Sequence, residues 1–190
     1  MPEDVEKTLK PDESQPQKAN NETDITFIEG EAMQSLEDEE KIALYTEAIE
    51  RLDAIIGHEL DDTGKMAIIS AVLKRSMPYF FVVAFYRVRG NKSLQIGPYQ
   101  GEVLACEIIP YEKGVCGACA TRQEIIIVPD VTKFPVYIAC DPLTKSEIAV
   151  PVTRHNKLIA VLDVDSTEFN SFNVVDKSYL ELIVKTYFED

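Results

Sequence analysis

The fold class is decided by one stretch, Tyr79-Phe-Phe-Val-Val-Ala-Phe-Tyr-Arg-Val-Arg89, which is rich in aromatic and β-branched residues. Gly90-Asn91 follows it as a turn signal, and the strand pattern resumes at residues 93–96. Two strand-like segments joined by such a short turn form an antiparallel hairpin. The stretch therefore predicts the start of an antiparallel sheet.

Helices and further strands surround this hairpin. Apolar residues recur at helical spacing over residues 37–56, 62–74 and 174–188, with Asp62 or Thr63 and then Asn173 as expected N-caps. Four more strands are predicted at residues 102–110, 124–128, 146–152 and 158–164, with a short helix at 115–122. This order predicts an α+β fold with a mainly antiparallel sheet of about six strands.

Composition and charge exclude several classes of protein. The chain has 190 residues, 45% of them hydrophobic and 27% charged, as in a soluble domain, and it lacks the run of about 18 apolar residues that would span a membrane. Its net charge of -14 disfavours a nucleic-acid partner, because binding phosphates requires an excess of Lys and Arg. The N-terminus shows no basic segment followed by an apolar one, so we expect no targeting signal and a cytoplasmic location.

Most of the acidity lies at the N-terminus. Residues 1–40 contain three Lys against thirteen Asp and Glu, and residues 1–24 have three prolines and almost no large apolar side chains. Such a segment buries too little surface to offset the entropy of ordering. It is therefore expected to be a disordered acidic tail.

All four cysteines lie between Pro98 and Pro151, at positions 106, 116, 119 and 140. Clustered thiols in a reducing compartment indicate metal binding or thiol chemistry. Cys140 precedes Asp141-Pro142 in a predicted loop, so we expect it to be accessible. Cys116 begins the short helix, where the helix dipole favours a thiolate, and we expect a lowered pKa.

The other two cysteines carry weaker signals. Cys106 is predicted on a strand with Leu104 and Ile108 on its core-facing side, which favours a structural role unless a reactive thiol lies beside it. Cys119 forms a C-x-x-C pair with Cys116, which alone is not diagnostic. A structural zinc site of four cysteines is the alternative, although such sites usually present two close pairs and only one is present.

Three acids form a second group. Asp163 and Asp165 lie two apart on one strand and so share a face, and Glu147 begins the strand before it. Two interpretations remain open: the acids surround a solvated sheet edge, or they line a cup that holds a cation or keeps one acid protonated. His58 and His155 have no ligand spacing and are assigned no role.

Several motifs together resemble the free methionine-R-sulfoxide reductases, a family of GAF-domain proteins. The resemblance spans residues 37–188 and rests on these motifs: Gly97-Pro-Tyr-Gln-Gly101, Ala105-Cys106, Gly114-Val-Cys-Gly117, Val128-Pro-Asp-Val131, Ile138-Ala-Cys-Asp141, Ser146-Glu-Ile148 and Leu162-Asp-Val-Asp-Ser166. Phe85-Tyr86 is also retained. The chain departs from the family at three positions: Cys119 replaces a small residue, Val82 a Trp, and Tyr137 a frequent His.

The resemblance implies a GAF domain over residues 37–190 after a tail at 1–36, and an oxidoreductase that reduces free L-methionine (R)-S-oxide without a cofactor or metal. It implies Cys140 as the attacking thiol and Cys106 and Cys116 as resolving thiols in an order left open. Glu147, Asp163 and Asp165 would bind the substrate and its sulfoxide oxygen.

The implied partners are the substrate and a thioredoxin-type reductant, and the resemblance leaves a homodimer open. The alternative function is a non-catalytic GAF module that binds a small molecule or senses redox state.

Overall fold

The computed structural model describes residues 36–102 and 105–189 of the chain. The tail expected at residues 1–36 lies outside this part except for Leu36, so it stays a prediction. The described elements follow in this order: α1 Asp38–Ile55, α2 Asp62–Ser76, β1 Val82–Arg89, β2 Ser93–Gln100, β3 Ile108–Pro110, α3 Gly114–Arg122, β4 Ile126–Val128, a 3₁₀ turn Val131–Lys133, β5 Ser146–Arg154, β6 Lys157–Ser166 and α4 Val174–Phe188.

The six described strands form one sheet in the order β3-β2-β1-β6-β5-β4, and every neighbouring pair is antiparallel. The predicted α+β class and six-stranded antiparallel sheet are confirmed. Two tight turns fix the register: Asn91 and Lys92 join β1 to β2, and His155 and Asn156 join β5 to β6. All four have positive φ, which matches the right-handed twist of the strands they connect.

The two faces of the sheet have different covers. Helices α1, α2 and α4 pack on one face around a core that includes Leu52, Phe85 and Leu162. Helix α3 and the segment between β4 and β5 cover the other face, where Tyr86, Cys116 and other side chains form a second, smaller core. The predicted site residues therefore lie on the face of the sheet opposite the three long helices.

Helix boundaries largely match the prediction. Asn173 caps α4 as expected, with its side chain accepting from the Val175 N–H at 2.8 Å. The N-cap of α2 expected at Asp62 or Thr63 is wrong. Asp61 caps this helix instead, and its side chain accepts from the Gly64 N–H at 2.8 Å. None of the helices in the described part of the chain is long and apolar enough to cross a membrane.

The strand predicted at residues 102–110 is wrong at residues 102 and 105–107. Among the described residues of this segment, only Ile108–Pro110 forms a strand with β2, so Cys106 lies in a loop and Ile108 is exposed. Continuing the β2–β3 register would place Pro98 opposite Ala105, and proline has no N–H to extend the ladder. The apolar pattern of this segment is typical of a strand, but β2 cannot continue its hydrogen bonds with the segment at Pro98.

Candidate active site

A small cavity lies between α3, the ends of β5 and β6, and the segment that leads into β5. Its volume is about 20 Å³, which is room for roughly one water molecule. Its lining includes Cys116, Cys140, Thr144, Glu147, Asp163 and Asp165. A larger open groove of about 740 Å³ beside β4 contains none of the predicted site residues. The structure thus gathers two of the cysteines and all three acids around one enclosed space.

The three acids share one face in the centre of the sheet. Glu147 on β5 pairs with Asp165 on β6, and Asp163 lies two residues before Asp165 on β6. Leu162 and Val164 point into the helical core on the other face, as predicted. Glu147 and Asp163 are only 6% and 7% exposed, and Asp165 is half-buried. The interpretation that these acids surround a solvated edge is therefore wrong.

Burial and neighbouring charges raise the pKa values of the three acids. Burial, followed by the charges of Asp163 and Asp165, raises the pKa of Glu147 well above its usual value. Burial and the charges of Asp163 and Asp141 do the same for the pKa of Asp165. Burial raises the pKa of Asp163 to about 6, against the lowering effect of hydrogen bonds with Glu147 and Cys116. Burial therefore raises the pKa of all three acids, which favours proton uptake by the cluster.

Asp163 offers a free acceptor to a ligand. Its Oδ1 atom is buried and has no hydrogen-bond partner among the described residues. A buried carboxylate oxygen without a donor is costly, so the arrangement favours binding of a cationic or hydrogen-bond-donating group. Sequence patterning identified Asp163 as a candidate but could not show this unpaired atom.

Two glycines allow α3 to bring Cys116 to the acids. Gly114 has a φ of +68°, a conformation that other residues adopt only with strain. At Gly117, a Cβ atom would collide with the backbone carbonyl of Pro110 at the end of β3. Glycine at these two positions lets the helix start sharply and lie directly against the strand.

The predicted lowering of the Cys116 pKa is wrong. Cys116 is 2% exposed, and its Sγ lies 3.8 Å from Glu147 Oε1. Burial raises the pKa of this thiol well above its usual value, and the charges of Asp163 and Glu147 raise it further. The helix dipole contributes at most about 2 kcal/mol and is outweighed by desolvation in this position. Cys116 is a neutral thiol at physiological pH.

Cys119 is also a buried free thiol, and none of its side chain is exposed. Burial first, then the charges of Asp163 and Glu147, raises its pKa above the usual value. A neutral, inaccessible thiol reacts slowly with electrophiles. The C-x-x-C spacing therefore does not produce a reactive pair here.

Cys106 and Cys140 form a disulfide with a Cα–Cα distance of 5.2 Å, within the ordinary range. Both residues are half-buried, and Cys140 lies in a loop as predicted. With two thiols bonded to each other, the four cysteines do not form a tetrahedral zinc site. Among the described residues, Cys116, Glu147 and Asp163 could hold a metal ion, since their ligand atoms lie within 4.8 Å of one another.

Sequence reasoning missed three neighbours of the acids. Tyr86 on β1 is buried, and burial with the charges of Asp163, Cys116 and other site groups raises its pKa. Thr144 and Asp141 come from the loop next to Cys140. Strand alternation placed Tyr86 on one face of β1, but only the pairing of β1 with β6 shows that the acids share that face. Val82, at the family's Trp position, pairs with Asp165 and is buried there.

Comparison with known proteins gives a consistent family assignment. The GAF domain family model matches residues 66–185. A free methionine-R-sulfoxide reductase of Escherichia coli is 33% identical over 76% of this chain and 86% of its own length. One from Saccharomyces cerevisiae is 48% identical over 53% of this chain and 57% of its own. GAF domain-containing protein A of Dictyostelium discoideum is 38% identical over 74% and 88%.

Solved structures agree with these sequence relatives. The free methionine-R-sulfoxide reductase of Neisseria meningitidis, in complex with its substrate, superposes with a TM-score of 0.72 at 36% identity and covers 80% of this chain and 89% of its own. The reduced form of the Staphylococcus aureus protein gives 0.70 at 37% identity, over 74% and 90%.

Proposed function

Because the chain belongs to the free methionine-R-sulfoxide reductase family of GAF-domain proteins, we propose that it reduces free L-methionine (R)-S-oxide to methionine with its own cysteines. One observation supports this function most directly. Cys140, which is bonded to Cys106, lines a cavity whose wall also carries Glu147, Asp163 and Asp165, and the pKa of each of these acids is raised. Sulfoxide reduction needs this combination of a nucleophile and an acid.

Asp165 is the acid best placed to act on the oxygen. The sulfur of a sulfoxide is electrophilic, but its oxygen leaves poorly until it is protonated. The charge of Asp141, the residue after Cys140, acts on Asp165 and helps keep it protonated. Asp165 therefore donates a proton to the sulfoxide oxygen while the Cys140 thiolate attacks the sulfur.

Asp163 is suited to recognise the free amino acid. It is the acid whose pKa of about 6 leaves it ionised at neutral pH, and its Oδ1 has no partner among the described residues. The α-ammonium group of a free amino acid carries the positive charge that would pair with the Asp163 carboxylate, and its N–H groups can donate to Oδ1. A methionine sulfoxide within a peptide has no such group, so the free amino acid is preferred. Glu147, whose pKa is raised by burial and which accepts from the Cys116 thiol, completes the substrate-binding wall.

The chemical step leaves Cys140 oxidised. The attack joins Cys140 Sγ to the sulfoxide sulfur. The protonated oxygen then passes to Cys140 Sγ while this S–S bond and the substrate S–O bond break, so methionine leaves with two more electrons on its sulfur and Cys140 is left as a sulfenic acid. The Cys106 thiol then attacks the Cys140 sulfur, an S–S bond forms, and the oxygen leaves as water. The Cys106–Cys140 disulfide supports Cys106 as the resolving thiol, while the burial of Cys116 favours its remaining a thiol.

The cycle closes when an external dithiol reduces this disulfide. A thioredoxin-type reductant supplies two electrons and two protons and returns both cysteines to thiols. Such reductants act in a reducing compartment, in keeping with the expected cytoplasmic location.

The test supplies each epimer of free methionine sulfoxide with dithiothreitol and follows both by chiral chromatography. We expect the R epimer to be consumed and the S epimer to remain. The same oxide within a tripeptide should turn over at least about 100-fold more slowly, because it lacks the charged amine. Binding without consumption would instead show a sensing module, and consumption of only the S epimer would overturn the assignment.

A further inference from the structure

The surface around Cys140 has an unusual composition. Within residues 135–143 five side chains are exposed and all are apolar: Pro135, Val136, Ala139, Pro142 and Leu143. Val136 is 63% exposed and Leu143 is 58% exposed. In a chain with a net charge of -14, this segment carries a single charged residue, Asp141. We call residues 135–143 the Cys140 loop.

Specific bonds hold these apolar side chains outward. Asp141 Oδ1 accepts the N–H of Leu143 at 2.7 Å, which fixes the turn that follows Cys140. On the other side, the Val136 carbonyl accepts the N–H of Gly114 at 3.0 Å. Val136 has a φ of 57°, a strained conformation for a β-branched residue. The exposure of both side chains is therefore built into the loop.

We propose that the Cys140 loop is the docking surface for a dithiol protein reductant, with Val136 and Leu143 as its apolar contacts. The assignment deepens the proposed function, because turnover requires an external reductant to reach the Cys106–Cys140 bond. The loop supplies Cys140, one of the two bonded cysteines, and both cysteines are half-buried, so a partner must come close to their sulfurs. Exposed apolar side chains on both sides of Cys140 in the loop are suited to hold the partner during exchange.

Thiol–disulfide exchange with a dithiol protein needs no further reactant. A thiolate of the reductant attacks one sulfur of the Cys106–Cys140 bond, which breaks; the new mixed disulfide holds the two proteins together, and the other cysteine leaves as a thiolate. The second thiol of the reductant, once deprotonated, then attacks the mixed disulfide and releases both cysteines reduced. The docking surface has to stabilise the complex through both attacks, which an apolar contact does without contributing charge.

The test measures reduction of the purified, oxidised protein in the absence of any sulfoxide. Thioredoxin with its reductase and NADPH is compared with dithiothreitol, and the free thiols are counted by alkylation and mass spectrometry. Leu143→Ser and Val136→Asn remove apolar contact, and Asn tolerates positive φ. Each variant should lower the second-order rate constant for thioredoxin by about fivefold or more, with the dithiothreitol rate within about twofold of wild type.

Matched controls come from the opposite face of the sheet. Leu182 and Val174 on α4 are 49% and 68% exposed, so Leu182→Ser and Val174→Asn make equivalent changes away from the disulfide. Both control variants should be reduced at the wild-type rate by either reductant.

Three results would each overturn the docking assignment. They are equal slowing of the loop variants with both reductants, no slowing of either loop variant with thioredoxin, and reduction of the wild-type protein by dithiothreitol but not by thioredoxin. Self-association lost in the loop variants, with normal thioredoxin rates, would assign the surface to a second copy instead. Because no sulfoxide is present, these outcomes are independent of the substrate.

Discussion

At the scale of single residues, exposure separates the four cysteines into two pairs. Cys106 and Cys140 are half-buried and bonded to each other, whereas Cys116 and Cys119 are buried thiols with raised pKa values. Sequence spacing pointed to Cys116 as the activated thiol of the helix. Burial reverses that expectation, because removing a thiolate from water costs more than a short helix dipole returns.

This separation predicts different defects for serine variants. Cys140→Ser should lose at least about 100-fold in kcat, because the nucleophile is absent. Cys106→Ser should still release one methionine per protein in a single turnover, then accumulate a sulfenic acid that dimedone traps. Cys119→Ser is the matched control and should keep near-wild-type activity. A full loss of the first turnover in Cys106→Ser would contradict its role as a resolving thiol.

Asp163 is expected to lower stability at neutral pH. Its folded pKa of about 6 lies above the unfolded value of 3.8, so the folded state holds its proton more tightly and stability falls as pH rises between these values. Asp163→Asn should therefore raise the unfolding free energy by about 3 kcal/mol at pH 7.5 and by much less at pH 4. Urea unfolding at both pH values measures the difference.

The same substitution should weaken substrate binding, which separates function from stability. Asp163→Asn should raise the KM for free methionine sulfoxide more than it lowers kcat, because the ammonium loses its counter-charge. Glu124→Gln, at an exposed position, is the control and should change neither quantity. An equal stability gain at both pH values would show that ionisation of Asp163 is not the cause.

At the scale of elements, a buried polar network joins α1 to α4. Lys41 Nζ lies 2.6 Å from Asp176 Oδ2 and 2.7 Å from the carbonyl of Ser171, and both charged side chains are almost fully buried. Asp176 Oδ1 also accepts from the hydroxyls of Tyr45 and Tyr79. A buried ion pair with so many hydrogen bonds specifies one arrangement of the two helices against the sheet.

Asp176→Ala should lower the unfolding free energy by about 3 to 5 kcal/mol, because it leaves Lys41 charged, buried and unpaired. Chemical denaturation measures the loss. Glu181→Ala removes an exposed partner of Lys185 on the same helix and should cost less than about 1 kcal/mol. Similar losses in the two variants would show that the network contributes no more than a surface pair.

Elements with a repeating apolar pattern were predictable from the sequence. Elements whose formation depends on pairing with a distant segment of the chain were not. Helix α4 was predicted at its observed bounds, because its periodicity and its Asn173 cap are both local. The strand expected at residues 102–110 was wrong at residues 102 and 105–107, because pairing there depends on whether Pro98 of β2 can donate a hydrogen bond. The buried Lys41–Asp176 pair was also missed, since nothing local distinguishes a buried lysine from a solvated one.

At the scale of the whole molecule, the disulfide and the small cavity occur together. A cavity of about 20 Å³ admits roughly one water molecule and is too small for an amino acid. Cys140 both lines the cavity and is bonded to Cys106, so the oxidised protein is expected to exclude substrate. Reduction frees the loop that carries Cys140.

Isothermal titration tests this expectation. Free methionine sulfoxide should bind Cys140→Ser, which cannot form the disulfide, at least about tenfold more tightly than it binds the oxidised wild-type protein. Oxidised Cys119→Ser is the control and should bind as weakly as oxidised wild type. Equal affinity in all three proteins would show that the disulfide does not restrict entry.

The sequence by itself determined the α+β class, the antiparallel hairpins, the shared face of Asp163 and Asp165, and the family, because strand alternation, turns and motif spacing are properties of neighbouring residues. The tertiary structure alone decided that Cys106 is bonded to Cys140, that Cys116 is a buried thiol with a raised pKa, and that the pKa of all three acids is raised. Each of these depends on burial and on charges brought together by strand pairing. The fold class is thus local information, whereas the chemical state of the site is set by its surroundings.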